Sequence, residues 1–258
     1  MQKKPVIIIA VLCVISLGLG YWAGQPKERS GNSGDKKEPE FLKQGLVAYY
    51  PFNGNAKDES ANNYHGFLEG PTSTTNRFGQ PNQAIAFDGA KDGVSLPHQV
   101  FNGLEAFTFT TWLNLDTPSK SHSILSLANK STEESLLLIF EGGSFLIYFH
   151  NEKRSSLSIF PDSFVHRWSQ IVVTRESSSA IIKVYVDRDL KSNLAFTKTG
   201  PLIIDPGGAW LGQEQDSLGG GFESRQALKG FLDDIRIYNR ALTEAEVKAL
   251  YEFEKVKP

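Results

Sequence analysis

From about Gln44 onward the chain is cut into short runs by Gly, Asn, Asp and Pro, and that spacing suits strands joined by tight turns. LVAYYPF runs into the turn-rich NGNAKDESANN, and AIAFDGAKDGVSL holds two Asp/Gly turn signals. In FTFTTWLNL, Phe107, Phe109, Thr111 and Leu113 alternate with Thr108, Thr110, Trp112 and Asn114, a period of two. LLLIF, FLIYFH, SLSIF, WSQIVVTR and IIKVYVD are further strand candidates. The 17 Phe, 8 Tyr, 4 Trp and 23 Gly against a single Met lean the same way. Number and spacing predict an all-β fold of two packed antiparallel sheets. One short helix closes the chain. Thr243 and Glu246 form a T-x-x-E capping box, Leu242 and Val247 flank it as a hydrophobic staple, and Ala245, Ala249 and Leu250 favour the helical state.

The 258 residues allow one large domain or two small ones, and a net charge of −2 gives no reason to expect nucleic acid as a partner. The one cysteine, Cys13, lies in the apolar N-terminal run, so the predicted domain has no thiol for a disulfide, a zinc site or a nucleophile. Lys3 and Lys4 precede the uncharged stretch 6–24, VIIIAVLCVISLGLGYWAG. As a helix it would span about 28 Å at roughly 1.5 Å per residue, enough for a bilayer core. The charge placement predicts a cytoplasmic N-terminus and an exported C-terminal domain. Residues 1–24 therefore read as a signal anchor or transmembrane helix, or as a signal peptide cleaved after Gly20. Residues 25–43 are polar and read as a flexible linker, with the sandwich over 44–254.

The segments GLVAYYPFNGNAKDESANNYHG, AIAFDGAKDGVSLP, FTFTTWLNL, WSQIVVTR, IKVYVDRDL and LKGFLDDIRIYNRALTEAEV, in that order over Gln44 to Glu252, resemble the concanavalin A-like lectin/glucanase superfamily, in its laminin-G-like and pentraxin-like branch. Two departures stand out. Ala61 takes the place of a family Gly in a D-x-S-G-N turn, and Arg188-Asp189 replaces an Asp-Gly hairpin tip after VYVD, so that turn must use another geometry. The resemblance implies a jelly-roll sandwich with rim loops. Function must come from sites, because this fold carries lectins, adhesion modules and glycosidases alike.

Strict alternation in GFLDDIRIY puts Asp233 on the face of Phe231, Ile235 and Ile237, where a carboxylate needs a cation or several donors. The loop around Asp58 and Asn63 supplies hard oxygens of the kind calcium takes. In the resembled family this loop and the terminal strand can share a structural calcium, so Ca2+ held by Asp58, Asn63 and Asp233 is one expectation. Asp58 as a turn cap and Asp233 as an acceptor of backbone N–H groups is the other. In SFLIYFHN and IIKVYVD, alternation leaves Tyr148, His150, Tyr185 and Asp187 on the side away from the core, as candidate sugar contacts or as an ordinary solvated face. Trp112 and Trp168 resemble buried family positions, which implies core packing for both. The histidines at 65, 98, 122, 150 and 166 include no i, i+4 pair that suggests zinc.

A glycosidase on this fold would need two carboxylates facing the sugar from one strand, about 5 to 5.5 Å apart in the retaining type. Glu133-Glu134 sit in a loop, Glu244 and Glu246 on the helix, and Asp187 and Asp189 at a hairpin tip, so no strand supplies the pair. No P-loop or dinucleotide glycine pattern appears. The sequence thus predicts a non-catalytic module for a glycan or a cell-surface protein. It would be a single-pass protein of a bacterial cytoplasmic membrane with its domain extracytoplasmic, or secreted if cleaved.

Overall fold

A computed structural model describes residues 38–256 except 132–133, 157 and 178. The predicted membrane helix or signal peptide and residues 25–37 of the predicted linker lie outside the described residues. Among the described residues no helix is long and apolar enough to cross a membrane.

The strands are β1 (Leu46–Tyr50), β2 (Phe67–Glu69), β3 (Thr72–Thr74), β4 (Ala84–Asp88), β5 (Gly93–Ser95), β6 (Phe107–Leu115), β7 (His122–Leu127), β8 (Leu136–Glu141), β9 (Ser144–Phe149), β10 (Glu152–Ser156), β11 (Ser169–Arg175), β12 (Ile181–Val186), β13 (Asp189–Ala195), β14 (Ala209–Leu211) and β15 (Lys229–Tyr238). Helix α1 (Glu244–Glu254) follows. Sheet A runs β13-β12-β11-β6-β15-β4-β3, with β1 also paired to β15, and sheet B runs β10-β9-β8-β7-β14-β5-β2. All the strand pairs within the two sheets are antiparallel. The two-sheet sandwich read from the punctuation is therefore present.

The sheets bury one apolar core between them. Phe107, Phe109, Leu113 and Leu115 of β6, Phe145, Ile147 and Phe149 of β9, and Ile171 and Val173 of β11 enter it at alternate positions. The outer face of sheet A is covered by α1, where Leu42, Val172, Tyr185, Tyr238, Leu242, Val247 and Leu250 form a second apolar cluster. The capping box is made: Glu246 N donates to Thr243 Oγ1 at 3.2 Å and Thr243 N to Glu246 Oε2 at 2.8 Å.

Three expectations need correction. Residues just before Gln44, read as the end of the linker, pack on the sandwich. Phe41 and Leu42, apolar exceptions in a polar segment, pack with the α1 cluster, and Arg240 donates to the carbonyls of Phe41 and Gln44. The hairpin after VYVD turns on Asp187 and Arg188, both with positive φ (49° and 76°), so two non-glycine residues hold the geometry Asp-Gly would give. Trp112 and Trp168 are absent from the main core. Trp112 is buried on the outer face of sheet A, stacked on Tyr251 of α1 at 5.6 Å, while Trp168 is half-buried.

Candidate ligand-binding site

The residues proposed for calcium are held by the protein's own groups. Asp58 is buried and both its oxygens are engaged: Oδ1 accepts from the N–H groups of Tyr49 (2.9 Å) and Ser60 (2.8 Å), and Oδ2 from Ser60 Oγ and Tyr64 N (both 2.8 Å). That is the turn cap. Asn63 is exposed, takes the left-handed conformation of the turn (φ 59°), and donates back to Ala61 O at 3.4 Å. Strand β15 carries a bulge at Asp233–Asp234, with Asp234 at φ 44° and the register against β6 shifted. The extra residue reverses the alternation. Leu232, Ile235 and Ile237 enter the core, and Asp233 moves to the outer face, where Arg77 Nη1 binds it. Arg77 Nη2 donates to Asp234 Oδ2 (2.7 Å) and Glu254 O (3.0 Å). An arginine stands where the sequence suggested a metal ion, so the set Asp58, Asn63 and Asp233 does not fit calcium.

The four candidate ligand contacts are not brought together. Tyr185 is buried beneath α1, 2% exposed. Asp187 is tied into the hairpin tip, accepting from Gln170 N at 2.9 Å and from Arg167 Nη2 at 2.5 Å. The His150 ring rests against Phe149 with centroids 4.2 Å apart, and its pKa is lowered by burial and by Arg175. Tyr148 is different. It lies on the outer face of sheet B in a cross-strand row formed by Trp210, Ser126, Leu137, Tyr148 and Lys153.

A loop that sequence reasoning passed over crosses this same face. Residues 212–228, GQEQDSLGGGFESRQAL, leave β14 and return to β15, and Leu228 N bonds Gly212 O at 2.8 Å to close the base. Gly212 (φ 79°) is required there, since a β-carbon would lie 2.3 Å from the Phe87 ring. Strand β7 holds both arms: Ser123 Oγ donates to Gln213 O (3.0 Å) and Ser123 N to Gln226 O (2.8 Å). Gln215 Nε2 donates to Ser126 O and Oγ (both 3.1 Å), and Phe222 packs edge-on against Trp210 at 4.8 Å. The loop is thus pinned over the row that contains Tyr148. At roughly 5 Å per strand, Tyr148 stands about 10 Å from Ser126.

The loop's polar atoms are unbalanced. Gln213, Glu214 and Gln215 are each at most 3% exposed. Gln213 Oε1, Glu214 Oε2 and Gln226 Oε1 are buried and accept no hydrogen bond. The pKa of Glu214 is pushed up to about 7, first by burial and then by Asp216, Glu134 and Glu223, with Arg225 opposing. Lone acceptor oxygens among mutually repelling carboxylates are what a hard divalent cation neutralises. This donor set fits calcium, although among the described residues no group of three or more His, Cys, Asp or Glu side chains is preassembled around one point. The available sequence signal was the density of oxygen donors: Q-E-Q-D, a triple-glycine turn, then Glu223 and Gln226.

Known proteins share this architecture. Rattus norvegicus C-reactive protein is 33% identical over 173 residues, 66% of this chain and 73% of that protein. A heptameric SAP-like pentraxin from Limulus polyphemus superposes with a TM-score of 0.51 at 17% identity, over 61% of this chain and 75% of that one. Domain 4 of the Geobacillus stearothermophilus arabinanase AbnA, solved with arabinotriose, gives 0.60 at 17% identity over 80% and 98%. These structural likenesses establish the fold. The Pentaxin family profile matches residues 87–258, which include the whole loop and the row beneath it. Of the branches suggested by the sequence, the pentraxin one is matched and the laminin-G-like one is only loosely related: the chain belongs to the Pentaxin family, as a lectin-like binding domain.

Proposed function

We propose that this chain is a non-catalytic, calcium-dependent glycan-binding module, displayed outside the cell on an N-terminal membrane anchor. One observation carries the reading: the loop holds three buried oxygens without donors, one of them on Glu214, whose ionisation is opposed by burial and by three neighbouring carboxylates. Pentraxins bind calcium structurally, and in this chain Glu214, Asp216, Glu223, Glu134 and the side-chain oxygens of Gln213 and Gln226 are the groups that would hold it. Bound there, calcium would offer its remaining coordination positions to ligand hydroxyl or acid oxygens.

The chain's own residues do the rest. Strand β7 fixes the loop through Ser123, and Gln215 holds it down on Ser126. Phe222, 38% exposed, and the half-buried Tyr148 present aromatic surface beside the carboxylates, suited to stacking on the C–H face of a sugar. The basic residues before the apolar stretch 6–24 support the anchor, or a cleaved signal that releases the same domain.

The test is a glycan array probed with the full-length chain in calcium and then in chelator. Selective, calcium-dependent binding that is lost in Glu214→Gln supports the reading. If calcium raises the melting temperature while no glycan binds in either condition, the glycan claim falls and a protein ligand at the same loop takes its place.

A further inference from the structure

Strand β11 carries an arginine where its own alternation calls for an apolar residue. Ile171 and Val173 enter the core, and Arg175 follows on the same face at the end of the strand, 1% exposed. Its guanidinium lies 4.7 Å from the centroid of the Phe149 ring. Nη1 is occupied, donating to Glu105 O at 2.5 Å and to Gly200 O at 3.0 Å. Nε and Nη2 are buried and make no hydrogen bond. These two nitrogens form one edge of the guanidinium, whose parallel N–H groups match the two oxygens of a carboxylate. We infer that this edge is a docking site for a small carboxylate anion, separate from the ion site of residues 212–228. Such a site would exist whether or not the chain binds glycans.

Arg77 and Arg236 also have side chains at most 4% exposed, and each grips a carboxylate. Among the described residues Arg175 has only carbonyls. Burial lowers its pKa, and the carboxylate that opposes this is the exposed Glu105, which takes no bond from the empty edge. Glu152, bordering the same end of the sandwich, is spent on the N–H groups of Thr197 and Lys198 and on Arg154. A buried guanidinium in this state lacks its counter-charge. A second donor lies close by. His150 Nε2 is also buried without a hydrogen bond, on a ring that rests against the same Phe149. The pKa of His150 is lowered by burial and then by Arg175, so its ring is neutral at neutral pH and offers an N–H without further charge.

Residues 197–200 strap this end of the sandwich. Lys198 Nζ holds His150 O at 2.7 Å, and Gly200 O holds Arg175. Residues 197–199 are exposed, and a β-carbon on Gly200 would meet nothing within 4 Å, so the strap borders open space. The empty edge of Arg175 lies wholly out of solvent, which limits the ligand to an anion the size of formate or acetate. Arg175 and Lys198 set the sign of its charge, and the paired N–H groups set its shape.

The test is a thermal melt of the full-length chain in chelator at constant ionic strength, with chloride replaced stepwise by formate or acetate and with acetamide as the neutral match. Formate and acetate should raise Tm saturably, half-saturating on the order of 1 mM, near the ceiling for so small a ligand. Chloride, with a single centre, and acetamide, with no charge, should not. Arg175→Lys keeps the charge and removes the paired N–H groups, so it should weaken carboxylate binding about tenfold. His150→Asn, compatible with the positive φ of 48° at that position, should weaken it about threefold and decides the matter if the Arg175 variant does not fold. Equal melting in every solution overturns the proposal, as does a carboxylate effect that Arg175→Lys retains in full. With Arg175→Lys unfolded, an effect that His150→Asn leaves unchanged overturns it as well. Stabilisation by chloride equal to that by formate also overturns it, since a lone charge would then suffice.

Discussion

The two outer faces of the sandwich each gather carboxylates, and they treat them in opposite ways. On sheet A, Asp233, Asp234 and Glu254 are answered from within the chain. Arg77 spans both aspartates, and Arg236 Nε binds Glu254 Oε1 at 2.9 Å. Glu254 Oε2 takes the N–H groups of Trp112 (2.8 Å) and Gln170 (2.9 Å), and the Arg77 guanidinium lies 4.5 Å from the ring centroids of both Phe78 and Trp112. On sheet B, Glu214 has a buried oxygen with no donor, and its electrostatic neighbours are mostly further acids. Acids balanced by resident cations lock α1 and β15 together. On the function proposed here, the acids left unbalanced are where a cation and a ligand come in from outside.

The largest expected effect is on the balanced face. Arg77→Ala removes the guanidinium that spans the buried Asp233 and Asp234 and should cost about 3–5 kcal/mol, read as a lower midpoint in denaturant. Added calcium should not restore it if Arg77 does the structural work the geometry assigns. Full rescue by calcium would mean the two faces do not differ as described.

On the unbalanced face, pH separates the two cases. Folding raises Glu214 from its ordinary 4.5 to about 7, so the folded chain holds a proton that the unfolded chain has released between those values. The contribution of this group therefore declines as pH rises from about 4.5 to about 7, by at most about 3 kcal/mol. Glu214→Gln should flatten that slope in denaturation curves taken across the window. A slope that persists in the variant would assign the effect elsewhere.

The smallest effect sharpens the comparison at single residues. Tyr148→Ala should weaken glycan binding by about 1 kcal/mol, near fivefold, with little change in stability. Tyr185→Ala removes a ring buried under α1 and should cost about 3 kcal/mol of stability while leaving affinity alone. Calorimetric titration paired with thermal melts reads both, and the reverse pattern would exchange their roles.

The sandwich was legible because its cause is local. Period-two runs such as Phe107–Leu115 and the Thr243–Glu246 capping box announce themselves within a few residues. The site was less so. One bulged residue at Asp234 reverses the alternation on which the reading of Asp233 relied, and the Arg77 that neutralises Asp233 lies 156 positions away. Tyr148 and Tyr185 look alike in their strands. Only the third dimension shows one lying beside the loop and the other capped by a helix. The loop 212–228 was visible as a run of oxygen donors, but its glycines resemble any turn until the burial of Glu214 is known.

The most direct measurement is a thermal melt of the chelator-treated full-length chain across a calcium titration, run beside Glu214→Gln. The account predicts a saturable rise in Tm for the native chain, near 2.7 kcal/mol of stabilisation at about a hundredfold excess over Kd, and little or none for the variant. Equal stabilisation of both chains, or none in the native chain, would contradict the claim that the unbalanced acids of residues 212–228 form the ion-dependent binding site.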